Sequence, residues 1–132
     1  MKTPAFRLLL LVVALALAAC TDPRVNSLSR LHGVDAAQLR VEAAQLSTRL
    51  LPTPGPDFVP VRPDQWPAPL LTLRPLRMNL YRDGLAVSLQ SSPGMEYGLH
   101  ITAAGDTREP KSTARTRYEK IQDGIFYFTQ KR

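Results

Sequence analysis

The stretch that decides the fold runs Arg77-Met78-Asn79-Leu80-Tyr81-Arg82-Asp83-Gly84-Leu85-Ala86-Val87-Ser88-Leu89-Gln90. Apolar and polar residues alternate on both sides of Asp83-Gly84, the period of a strand with one buried face. Asp-Gly suits a two-residue type I′ hairpin turn, which needs φ > 0 at both central positions. Such a turn pairs Arg82 with Leu85, Leu80 with Val87 and Met78 with Leu89. The other face then carries Tyr81 with Ala86, Asn79 with Ser88 and Arg77 with Gln90. A slip of one residue would exchange the two faces.

Downstream, Ser91 to Gly94 reads as a turn. Met95, Tyr97, Leu99 and Ile101 alternate with Glu96, Gly98, His100 and Thr102, which predicts a third strand with its polar residues toward solvent. Residues 103–115 read as a polar loop. A second Asp-Gly stands at 123–124, and the apolar run Ile125 to Phe128 predicts a fourth strand over 125–130, buried on both sides. A two-residue turn there would put Glu119 and Ile121 opposite Phe128 and Phe126 on one face, which leaves 117–122 undecided.

Upstream, residues 52–75 hold eight prolines in 24 residues. Proline fixes φ and removes a donor, so this segment is expected as an extended strap rather than a long helix or a central strand. Phe58, Val59, Val61 and Trp66 argue against simple disorder, and one short turn of helix fits after Pro67. Before the strap, Leu39, Ala43, Leu46 and Leu50 recur at helical spacing behind Asp35-Ala36-Ala37-Gln38, a capping-box pattern. The expected architecture is therefore α+β: a small antiparallel sheet of three to five strands with one packed helix. Its parts are a helix over 35–51, the strap over 52–75 and a β-rich domain over 76–132, with residues 20–34 expected as a tether.

The N-terminus is of a different kind. Lys2 and Arg7 precede Leu8 to Ala19, twelve residues without a polar side chain. As a helix these reach about 18 Å, short of the about 30 Å of a bilayer core. The segment reads as a signal peptide over 1–19. Its end, Leu17-Ala18-Ala19-Cys20, resembles the lipobox of bacterial lipoprotein precursors at all four positions. The resemblance implies cleavage between Ala19 and Cys20, diacylglycerol on the Cys20 thiol and acylation of the new amine, so that palmitate-type chains hold the protein to a membrane. In enterobacterial lipoproteins an Asp directly after the Cys retains the protein in the inner membrane. Here Thr21 takes that place and Asp22 follows, so the expectation is the outer membrane, on its periplasmic face. Leu73-Arg74-Pro75 before the hairpin and Tyr97-Gly98 in the next strand are loosely similar to small bacterial proteins without an assigned function, and imply none.

From Cys20 onward the chain has 113 residues, enough for one small domain, with 15 basic and 11 acidic side chains. Much of the basic excess lies between Arg108 and Arg132, where it would suit anionic lipid or cell-wall partners. Export excludes nucleic acid as a partner. Cys20 is the sole cysteine, so no disulfide, thiol nucleophile or cysteine metal site is expected.

No pattern commits to catalysis. His32 and His100 share no metal-ligand spacing, and neither a metal nor a cofactor is expected. Glu96 and His100 share a strand face, but four residues at about 3.3 Å place their Cα atoms about 13 Å apart, too far for a dyad. Gly98 between them leaves space for a ligand or another backbone. Trp66, Tyr81, Tyr97, Tyr118 and Tyr127 offer stacking surfaces, although such rings more often close a small core, and Tyr81 is the best exposed of them. Glu96, His100 and Tyr81 are thus the candidate ligand face. The favoured function is a non-enzymatic binding or assembly module of the envelope, with a cell-wall polymer or envelope protein as partner. The alternative is a small cell-wall or lipid-acting enzyme, or an inhibitor of one, working at Glu96 and His100.

Overall fold

A computed structural model describes residues 22–132. The signal segment and Cys20 lie outside the described residues. Six antiparallel strands form one sheet: β1 (Phe58–Val61), β2 (Arg77–Tyr81), β3 (Gly84–Ser92), β4 (Met95–Ile101), β5 (Thr116–Gln122) and β6 (Ile125–Lys131), in the order β1-β2-β3-β4-β6-β5. The α+β class is as expected, but the sheet has six strands rather than three to five. The additional strands come from the strap, which contributes β1, and from the undecided segment 117–122, which is β5.

β1 is an edge strand, with Val59 opposite Leu80 and Val61 opposite Met78. An edge tolerates Pro60, because no second neighbour needs its missing donor. The Trp66 indole holds the end of β1 with a 2.9 Å hydrogen bond to the Val61 carbonyl. Ala68–Leu71 then forms one short helix.

Two helices lie across one face of the sheet. α1 (Pro23–Ser29) falls inside the segment expected to be a tether. Asp22 caps it by accepting from the Arg24 amide at 2.9 Å, and Pro23 occupies the first turn, where its missing donor costs nothing. α1 is tied to the sheet by Arg24–Glu119 and by Asn26–Gln90. α2 (Ala36–Leu50) is the predicted helix, and Leu39, Ala43 and Leu46 are its buried face. Asp35 caps it as expected, but Gln38 turns forward to Glu42 instead of closing the box.

The apolar core fills the space between these helices and the sheet residues Met78, Leu80, Leu85, Val87, Leu99, Ile101 and Ile125. At about 25 cal/mol per Å² of buried apolar surface, each of these side chains contributes about 1.5–3 kcal/mol, and with no disulfide the domain depends on them.

The first hairpin keeps its expected faces but not its expected register. Leu80 pairs with Leu85 and Met78 with Val87, and the two-residue loop is Arg82-Asp83. Asp83 stays at negative φ, so the type I′ turn does not form. Gly84 instead opens β3 at φ +148°, where a Cβ would lie 2.6 Å from His100 Nε2. A two-residue displacement preserves the side-chain alternation, which is why the core face is unchanged. At the next turn Pro93 and Gly94 (φ +79°) fit type II. In the β5–β6 hairpin an irregularity between Lys120 and Gln122 absorbs Ile121, so that Lys120 faces Phe126 and Tyr118 faces Phe128.

Candidate functional site

The second face of the sheet carries Ala86, Ser88, Glu96, His100, Phe126 and Phe128 toward Tyr81 on β2 and Tyr118 on β5. In a flat sheet β2 and β5, four positions apart, would be separated by about 19 Å at about 4.8 Å per strand. Tyr81 and Tyr118 nevertheless line one cavity of about 180 Å³ with Asp83, Ala86, Thr116, Phe128 and Gln130. The sheet is therefore curled, and its inner face is a cleft. The bulges in β3 and β5 increase local twist and bend, in keeping with the curl. Arg108 ties the loop 103–115 to the β2–β3 turn by donating to the Arg82 carbonyl at 3.0 Å.

This curl corrects the expectation that Glu96 and His100 face solvent. His100 is 1% exposed and Glu96 6%. Tyr81 is half-buried rather than well exposed, and stacks on Phe58 with ring centroids 5.4 Å apart. Gly98 leaves no vacancy for a ligand. A Cβ there would lie 2.0 Å from the Val87 carbonyl oxygen and 3.0 Å from the Phe128 ring, so the space belongs to the neighbouring backbone.

On this face Glu96 and His100 each have a partner of their own. Arg77 Nε donates to Glu96 Oε1 at 2.6 Å, and its Nη2 reaches Oε2. Burial raises the proton affinity of Glu96. Hydrogen bonds from Arg77 and Ser88, with the charges of Arg77 and Arg132, outweigh it and hold the carboxyl below its ordinary pKa. His100 Nε2 lies 3.1 Å from the Asp83 carbonyl oxygen, which can only accept, so that nitrogen carries the proton. Burial lowers the His100 pKa, against the Asp83 charge and carbonyl, and the ring is neutral near pH 7. The Tyr118 ring meets the imidazole edge-on at 5.4 Å. Burial raises the pKa of Tyr81 and of Tyr118, so both keep their hydroxyl protons.

The structure thus brings Tyr81, Glu96 and His100 to one face without joining Glu96 to His100. Tyr118, Thr116 and Gln130 complete the cleft. Sequence alone missed the grouping because it depends on the β5 register, although the alternation of Thr116 and Tyr118 was there to be read. Tyr97 and Tyr127 belong to the other face, where burial pushes Tyr127 up to about 12. His32 lies by the groove between α1 and β5, away from the cleft. Among the described residues no cluster of His, Cys, Asp or Glu has the makings of a metal site, and no helix is long and apolar enough to cross a membrane.

Several of the basic side chains are committed within the domain. Arg40 donates to the carbonyls of Thr102, Ala103 and Asp106. Arg82 binds those of Leu51, Pro52 and Pro56, pinning the strap to the hairpin loop, and Arg30 those of Leu73 and Arg74. Arg24, Arg62, Arg108 and Lys120 pair with carboxylates.

No family model matches the chain, and neither a curated protein nor a solved structure matches it.

Proposed function

We propose that this chain is an envelope lipoprotein, held to a membrane by lipid on Cys20, whose sheet domain is a non-enzymatic binding module with its ligand site in the curled cleft. The observation that carries this reading is the junction at residues 20–22. The lipobox ends at Cys20, and the Asp22 cap of the first docked helix follows with only Thr21 between them. Cleavage between Ala19 and Cys20 would therefore remove the apolar segment and leave the cap intact. Binding rather than catalysis is favoured because Glu96 is neutralised by Arg77 and the Nε2 proton of His100 is held by a backbone carbonyl. A general acid or base needs a proton that it can exchange with a substrate. Thr21 after the cysteine favours the outer membrane, facing the periplasm, with a cell-wall polymer or envelope protein as partner.

Metabolic labelling with radioactive palmitate tests the anchor. The wild-type chain is expected to take up label and to appear in the membrane fraction at the mass of residues 20–132 plus acyl chains. Cys20→Ser is expected to lose the label and retain the longer precursor mass. An unlabelled wild-type chain, or a Cys20→Ser chain that still matures and stays membrane-bound, refutes the anchor. Density-gradient separation of the membranes decides between inner and outer.

A further inference from the structure

We propose that the cleft binds an acidic saccharide, one sugar ring lying between Tyr81 and Tyr118 and its carboxylate or phosphate lying at the end formed by Arg77, Arg115 and Arg132. The inference rests on the reading of the domain as a binding module and names the ligand class.

Two observations combine. The aromatic cavity, at about 180 Å³, is smaller than the about 300–1,000 Å³ of sites that enclose drug-sized ligands. It suits one ring, with the Phe128 side chain as floor and the Thr116 and Gln130 side chains as hydrogen-bonding groups. Thr116 and Gln130 also line a wider, open groove of about 600 Å³, so the two depressions adjoin. That groove presents four cationic side chains, Arg77, Arg115, Lys131 and Arg132, against the single carboxylate side chain of Glu96. Arg77 is the ion-pair partner of Glu96, and Arg132 adds only a longer-range charge to it. Arg115, Lys131 and Arg132 have no carboxylate ion-pair partner among the described residues, and Arg132 donates to the Ser91 hydroxyl. They contrast with the arginines that clamp backbone carbonyls elsewhere in the domain.

A neutral sugar would leave these cations unanswered, and a bare anion would leave the tyrosine-lined cavity unused. A ring with an attached anion meets both. Aromatic faces favour the apolar faces of a ring, and protonated tyrosine hydroxyls donate to its oxygens. Guanidinium groups match carboxylate and phosphate equally well, so both sources share the chemistry.

The test is titration calorimetry on the full chain, lipidated and in detergent, and in parallel on Cys20→Ser. The probes are N-acetylmuramic acid (ring with carboxylate), glucose 1-phosphate (ring with phosphate), N-acetylglucosamine (neutral ring) and inorganic phosphate (no ring). At least one acidic sugar is expected to bind about tenfold or more tighter than either control, the scale of one charged hydrogen bond. The tighter of the two acidic sugars identifies the source. Arg115→Ala with Arg132→Ala, at two exposed positions and checked for an unchanged urea midpoint, is expected to lose about tenfold for the acidic sugar and nothing for N-acetylglucosamine. Equal binding of the neutral sugar, inorganic phosphate as tight as the sugar acids, no change in the double variant, or no binding of any probe overturns the proposal. Binding by Cys20→Ser together with absent palmitate labelling would sink the anchor and leave the saccharide site standing.

Discussion

The two faces of this sheet are buried by different means. The face under α1 and α2 is covered by other elements, and its fully buried residues are apolar, with Leu85, Leu99, Ile101 and Ile125 excluded from water. The opposite face is buried by the sheet's own curl, and it encloses Glu96, His100 and Ser88 among aromatic rings. On the first face, burial is stabilising in proportion to area. On the second, each polar group costs free energy unless it has a partner, so partners decide the outcome. A surface built this way keeps polar groups in fixed positions beside a cleft, which the helix-covered face does not.

Neighbouring residues on β4 allow the contrast to be broken one face at a time. Leu99→Ala, on the helix-covered face, is expected to lose about 2–5 kcal/mol in urea denaturation, because it leaves a cavity in a packed core. Gly98→Ala, one residue away on the curled face, is expected to lose about 1–3 kcal/mol by overpacking against the Val87 carbonyl. A Gly98→Ala chain as stable as wild type would show that the strands do not approach as described. Glu96→Gln is expected to cost about 1–3 kcal/mol, since it removes a buried charged acceptor while Arg77 remains. The same substitution at exposed Glu109 is expected to leave the urea midpoint unchanged, because surface pairs contribute little.

The smallest effect sharpens the contrast through pH. His100 and Glu96 both have lowered pKa values in the folded chain. Each therefore adds stability that is complete above its unfolded pKa and is lost as pH falls through its folded pKa. Stability is expected to decline in two stages on acidification, first below about 6.5 from His100 and then below about 4.3 from Glu96. His100→Gln keeps a donor for the Asp83 carbonyl and is expected to abolish the first stage in urea midpoints measured from pH 7 to pH 5. An unchanged first stage would assign it to another group.

Legibility in the sequence follows the same division. The helix over 36–50 and the pairing of β2 with β3 were readable, because each buries one side and shows it as a period. α1 and β1 were not, because each is short and is ordered by what it packs on. Asp22-Pro23 was still a legible start signal for α1. Of the site, Tyr81, Glu96 and His100 were identified as sharing a face. Their burial was not legible, because alternation marks a polar face without saying whether water or a curled sheet covers it. The hairpin register shifted because Gly84 is used for close approach to His100 rather than for a left-handed turn.

The position of α1 has a consequence for reach. In the proposed lipoprotein only Thr21 separates the acylated residue from the Asp22 cap, and two residues span at most about 7 Å. The domain would then ride on the bilayer rather than range above it. Because α1 lies on the helix-covered face, the cleft opens on the other side of the sheet. Such a protein samples the membrane plane by lateral diffusion and meets only ligands that come within one domain's depth of the lipid surface.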